Sequence, residues 1–149
     1  YFHGQRGLVQ HMRLEHYMAG LALHTLKANG RAAIILMGHV HFGRDGYIEK
    51  YRPFFNWLFR HYKVDDIINM NSYKLYNKQG AVTKTMLILV RGRKAKPEGV
   101  APRKAESPLM ETMVDSFYEL WERVAMHTPG VAGSRIPLLI TQLKLELEV

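Results

Sequence analysis

The sequence has no cysteine, which excludes a disulfide framework, a thiolate metal site and a cysteine nucleophile. It has no apolar run approaching the roughly 20 residues that span a bilayer, and no charged-then-apolar signal segment opens it. A cytoplasmic location with no membrane partner is therefore expected. Acidic residues are scarce: 13 Asp and Glu stand against 21 Lys and Arg, a formal net charge of +8. Such a field attracts polyanions without specifying a site. A phosphate-binding loop is missing, because Gly38-x-x-x-x-Gly43 runs into Arg44-Asp45 and not into Lys-Ser/Thr. No serine sits in a nucleophile elbow.

What is present is an ordinary globular composition, 47% hydrophobic and 23% charged over 149 residues. That length supports one domain with a real core, or one domain plus an appendage. Its organising stretch is Leu21 to Gly38, LALHTLKANGRAAIILMG. Asn29-Gly30 tolerates left-handed backbone angles and so ends a helix. Ala32 to Met37 is then six apolar residues between glycines, too short for a buried helix. It reads as a strand buried on both faces inside a sheet covered by helices.

Upstream, Leu14, Tyr17, Met18, Leu21, Ala22 and Thr25 follow the spacing of one helix face, leaving His16, His24 and Lys27 elsewhere on the surface. Downstream, Gly38 to Gly46 is a glycine-rich loop at the strand's carboxyl end, where ligands sit in open α/β sheets. A second helix carries Phe55, Leu58 and Phe59, its regular part starting at Pro53 because proline cannot donate within a helix. Val64 to Met70 and Met86 to Val90 read as strands that pair antiparallel across a polar turn.

Arg91 to Glu106 holds six Lys or Arg together with Pro97 and Pro102, the composition of a basic linker or exposed arm. Ser107-Pro108 looks like a helix start, with Leu109, Met113, Phe117, Leu120, Trp121 and Val124 on one face. Leu143 to Val149 alternates strictly, as a strand with one buried face does.

Two constellations bear on chemistry. His39-x-His41 puts two imidazoles on one side of an extended segment, but zinc takes three or four protein ligands, so no metal site is assigned. Tyr73, Lys74, Tyr76 and Lys78 interleave rings for base stacking with cations for phosphate; the other reading of the two tyrosines is that they pack a hairpin onto the sheet. Arg91, Arg93 and Lys94 are candidates to track phosphates, against the reading of a solvated basic run.

LKANGRAAIILMG, FFNWLFRHYKVDDIINM and KLYNKQGAVTKTMLILVRG together resemble the carboxyl half of the catalytic domain of adenine-N6 DNA methyltransferases, over about Leu21 to Gly92. The resemblance implies a partial Rossmann-like α/β sheet in the order helix, strand, helix, strand, hairpin loop, strand, with a C-terminal helical appendage. The divisions that follow are 1–92 for the α/β domain, 93–106 for the basic linker and 107–149 for the terminal helix and strand. It implies DNA as partner, S-adenosylmethionine as cofactor of the parent protein, and Tyr76 near the loop whose ring packs on a flipped base. The family's acidic-x-Gly-x-Gly donor turn and its Asn/Asp-Pro-Pro-Tyr/Phe tetrapeptide are absent from these residues. No donor binding and no catalytic residue is therefore expected of this chain alone, which reads as a fragment of such an enzyme or as a non-catalytic nucleic-acid-binding or assembly module. An unpaired sheet edge makes a homo-oligomer a further expectation.

Overall fold

The computed structural model describes residues 13–76 and 83–128. Its elements run α1 (Leu14–His24), β1 (Ala32–Met37), α2 (Arg52–His61), β2 (Tyr62–Met70), α3 (Ser72–Tyr76), β3 (Thr85–Arg93), a 3-10 turn (Pro108–Glu111), β4 (Met113–Val114) and α4 (Phe117–Ala125). This is a mixed α/β fold around a four-stranded sheet in the order β1-β3-β2-β4. β3 runs antiparallel to both neighbours, which makes β1 and β2 parallel, and β4 is parallel to β2. The expected antiparallel pair is present, with Ile67 facing Ile88.

Alternation along β3 divides the core in two. Met86, Ile88 and Val90 point toward the layer of α1 and α2, where they meet Leu23, Phe55, Leu58 and Ile67. Leu87 and Leu89 point to the other face, where Ile68, Met70, Leu75 and Val114 pack with Phe117, Leu120 and Val124 of α4. Phe54, Phe55 and Leu58 of α2 are at most 2% exposed, and fully burying such a side chain stabilises by about 1.5–3 kcal/mol. α2 starts where expected, with Pro53 in its first turn. Tyr51 just before it takes a left-handed conformation, φ 58°, which separates the preceding turn from the helix.

Three expectations are corrected. First, β1 is not buried on both faces: among the described residues it is an edge strand, and Ile35 and Met37 are 57% and 45% exposed while Leu36 is 6%. Among the described residues only the α1/α2 layer covers it, because α4 packs over β2 and β3. Second, α1 buries the opposite face from the one its apolar spacing predicts. His16, Ala19, Gly20 and Leu23 face inward, and Leu14, Met18 and Leu21 face out. The His16 ring stacks on Phe54 at 4.3 Å and 7°, so an imidazole fills the place an aliphatic residue was expected to take.

Third, no continuous helix runs from Ser107 to Val124. The chain makes a 3-10 turn, pairs Met113 and Val114 with β2, and restarts at Ser116. Ser116 Oγ accepts the Glu119 N–H while Glu119 reaches back to the Asp115 N–H, a reciprocal cap that makes 116 the real helix start. The intervening basic stretch lies along the body: the N–H groups of Lys94, Glu98 and Lys104 donate to the carbonyls of His61, Arg60 and Gly46, and Ala101 is buried. The expected strand Leu143–Val149 lies outside the described residues.

Candidate functional site

The carboxyl ends of β1 and β2 and the start of β3 meet at one rim, since Met37 and Met70 both face Thr85. Asn69 fixes this rim. A lone amide in an otherwise apolar run, it is fully buried, and its Oδ1 accepts the Val40 N–H at 2.8 Å while its Nδ2 donates to the carbonyls of Val40 at 2.8 Å and Met110 at 3.1 Å. The loop after β1 and the 3-10 turn are thereby tied to the last turn of β2.

Glu111 provides a second tie, accepting from the Phe42 N–H at 2.8 Å and from Lys104 at 3.0 Å, with His41 Nδ1 lying 3.1 Å away. The Phe42 amide first, and then Lys104, hold its carboxyl below the usual carboxylate range. The His39 ring lies 6.4 Å from that of His41; burial first, then the charges of Lys84, His41 and Lys50, lower its affinity for a proton. Among the described residues no three His, Asp or Glu side chains converge as metal ligands do.

The predicted contact residues do not form one surface. Tyr73 stands at this rim, 63% exposed, on the short helix that Ser72 anchors through its hydroxyl contact with Thr85. Lys74 beside it pairs with Asp115 at 3.3 Å. Tyr76 closes α3, and Lys78 lies outside the described residues. Arg91, Arg93 and Lys94 are at or just past the far end of β3, six to nine residues from Thr85, which is about 20–30 Å at the usual rise.

There, Arg93 is a helix cap: its Nη2 donates to the carbonyls of Leu23, His24 and Leu26 at the end of α1. Lys94 does the same for α2, donating to Phe59 O as well as to Glu98 O. Both cations satisfy carbonyls that a helix end leaves without intrahelical partners. Arg91 pairs with Asp65 at 2.8 Å and stays exposed.

The residues missed by sequence reasoning are buried polar ones. Asp66, 8% exposed, accepts from Arg123 Nε at 3.0 Å and Nη2 at 2.9 Å, contacts His127 Nε2 at 2.8 Å, and takes the Ile67 N–H. This carboxylate anchors α4 to the sheet. Val64-Asp65-Asp66-Ile67 carried the signal, an acid at the mouth of an apolar strand, without naming its partner. His127 borders two clefts, one of about 310 Å³ with Arg31, Ala33, Asp65 and Thr128, the other of about 280 Å³ with Phe59, Ser107 and Leu109.

Among the described residues at this rim, Glu111 is engaged by Lys104 and Asp115 by Lys74, while the Glu49 carboxylate lies 3.6 Å from the His41 ring. No family model, no curated protein and no solved structure matches this chain.

Proposed function

We propose that this chain is the carboxyl half of an adenine-N6 DNA methyltransferase domain, inactive by itself and completed by a polypeptide that brings the donor-binding turn and the Asn-Pro-Pro-Tyr/Phe tetrapeptide. The observation that carries this reading is the arrangement of β1, β2 and β3. Two parallel strands joined through a helix are separated by a later, reversed strand, in the chain order the resemblance implies. Among the described residues β1 has a free edge and an uncovered face, which supports it further, since a further strand and its covering helix would bury Ile35 and Met37. In such an assembly this chain supplies the rim that Asn69 and Glu111 fix, and Tyr73 stands on it.

A second reading, a nucleic-acid-binding module without chemistry, is favoured by the excess of exposed cations. Two measurements test them, the second of which separates them. Titration calorimetry of the chain with S-adenosylmethionine is expected to give no heat of binding, and tight one-to-one binding would overturn the claim that the donor is held elsewhere. The reading frame upstream of Tyr1 is expected to encode both missing motifs. Their absence there removes the first reading and leaves the second.

A further inference from the structure

The two ends of the sheet differ in how their charges are matched. At the rim described above, Lys74 faces Asp115, Lys104 faces Glu111 and Arg52 faces Asp45. At the opposite end, Lys27, Arg31, Arg60, Lys63, Arg91 and Lys96 are all exposed. They come from three separate stretches of chain, 27–31, 60–63 and 91–96. Arg31 precedes Ala32, which faces Val90, so it sits beside Arg91; Lys63 follows Tyr62, which faces Arg93. The loop holding Lys27 is tied to the same strand end by the Arg93 N–H bond to Ala28 O, and the stretch holding Lys96 is tied to Arg60 and His61 by the N–H groups of Glu98 and Lys94. Among the described residues, the carboxylates nearest this end include Glu98, Asp65, which is engaged by Arg91, and Glu106, which pairs with Arg103 and shares a cleft with Phe59 and Asp65.

We propose that this amino-end rim is a docking surface for the phosphate backbone of duplex nucleic acid, read by charge and not by base sequence. Placing six cations within a few strand spacings of about 4.8 Å costs repulsion that a polyanion offsets. Arg93 and Lys94 hold the two helix ends that carry Lys27 and Arg60 and so shape the surface without touching the ligand. The choice of polyanion rests on the nucleic-acid part of the reading above, and not on the methyltransferase kinship.

The test is fluorescence anisotropy of a labelled 20-base-pair duplex of arbitrary sequence, titrated with the full chain across a salt series. The triple variant Arg31→Glu/Lys63→Glu/Lys96→Glu is compared with Lys50→Glu/Lys74→Glu/Lys84→Glu, which changes the net charge equally at the other rim. The first triple is expected to weaken binding about 30-fold or more and to flatten the slope of log affinity against log salt by about 3, close to one unit per lost phosphate contact. The second is expected to change affinity less than about threefold. Should the first triple not fold, judged by circular dichroism, the corresponding glutamine triple carries the same expectation.

Equal losses in both triples would overturn the proposal by showing diffuse charge only. A larger loss in the second would move the surface to the other rim and leave nucleic-acid binding intact. Failure of the wild-type chain to bind duplex, with or without binding to phosphatidylserine vesicles, would overturn both the docking surface and the nucleic-acid reading.

Discussion

Asn69 and Val40 lie 29 residues apart and exchange two hydrogen bonds of 2.8 Å, Asn69 using its side-chain amide and Val40 its main chain. A side chain here does what a neighbouring strand does elsewhere in the sheet. Replacing it by leucine leaves the Val40 N–H and C=O and the Met110 C=O without that partner, and each buried polar group so abandoned costs about 1–3 kcal/mol. Asn69→Leu is therefore expected to lose about 3 kcal/mol or more, read as a lower urea midpoint at unchanged slope.

The Asp66–Arg123 pair predicts a non-additive outcome. Removing one partner leaves a buried charge alone, at a cost of about 3–5 kcal/mol, whereas replacing both with apolar residues of similar size is far less damaging. Arg123→Met is expected to unfold at markedly lower denaturant, and Asp66→Leu/Arg123→Met to recover a large part of the loss. Equal losses in single and double variants would show that the pair does not hold α4.

Arg93 and Lys94 separate a capping role from a phosphate contact. Arg93→Ala and Lys94→Ala are each expected to cost about 1–3 kcal/mol, the range for hydrogen bonds made by charged groups. Duplex affinity, measured at a temperature where both variants are folded, is expected to stay within about twofold of wild type, because their charges are turned into helix ends.

His16 gives the stability its pH dependence near neutrality. Burial lowers its proton affinity against the pull of Glu15, with Arg13 adding a smaller push in the same direction, and its Nε2 is buried without a hydrogen-bond partner among the described residues. The unfolded chain thus takes up the proton more readily than the folded one. The stability this contributes is present above about pH 6.5 and is lost as pH falls below it. His16→Phe keeps a ring against Phe54 and removes the titration. It is expected to flatten the loss of Tm between about pH 7 and 5, leaving the share due to His39 and His61, whose proton affinities are also lowered chiefly by burial.

The exposed side of β1 predicts self-association. Ile35→Lys places a charge on an edge strand where no layer covers it among the described residues, a device that discourages edge pairing. Sedimentation velocity is expected to show concentration-dependent association for the wild type and a shift toward monomer for the variant, with Tm nearly unchanged.

How far the chain could be read without coordinates depends on what each signal measures. The sequence by itself determined the strand between Gly30 and Gly38, the helix around Pro53 and the Ile67 and Ile88 strands, because local backbone preference and apolar continuity act over a few residues; it misplaced the end of α1 at Asn29-Gly30, since the helix stops at His24 and neither of those residues takes a left-handed angle. It also determined that Ile67 and Ile88 belong to paired strands, since a polar turn of limited length leaves few alternatives. The same local rules misplaced the buried face of α1, where packing of His16 on Phe54 outweighs apolar spacing, and joined two short elements into one helix across the Asn69 clamp.

Only the tertiary structure decided that β1 is an edge strand with one covered face, because burial depends on which other elements reach it and not on the strand's own composition. It alone decided that Arg93 and Lys94 cap helices while Lys63 and Arg91 stay in solvent. Charge is a property of a residue, but its availability is set by whichever carbonyl or carboxylate the fold brings within hydrogen-bonding distance.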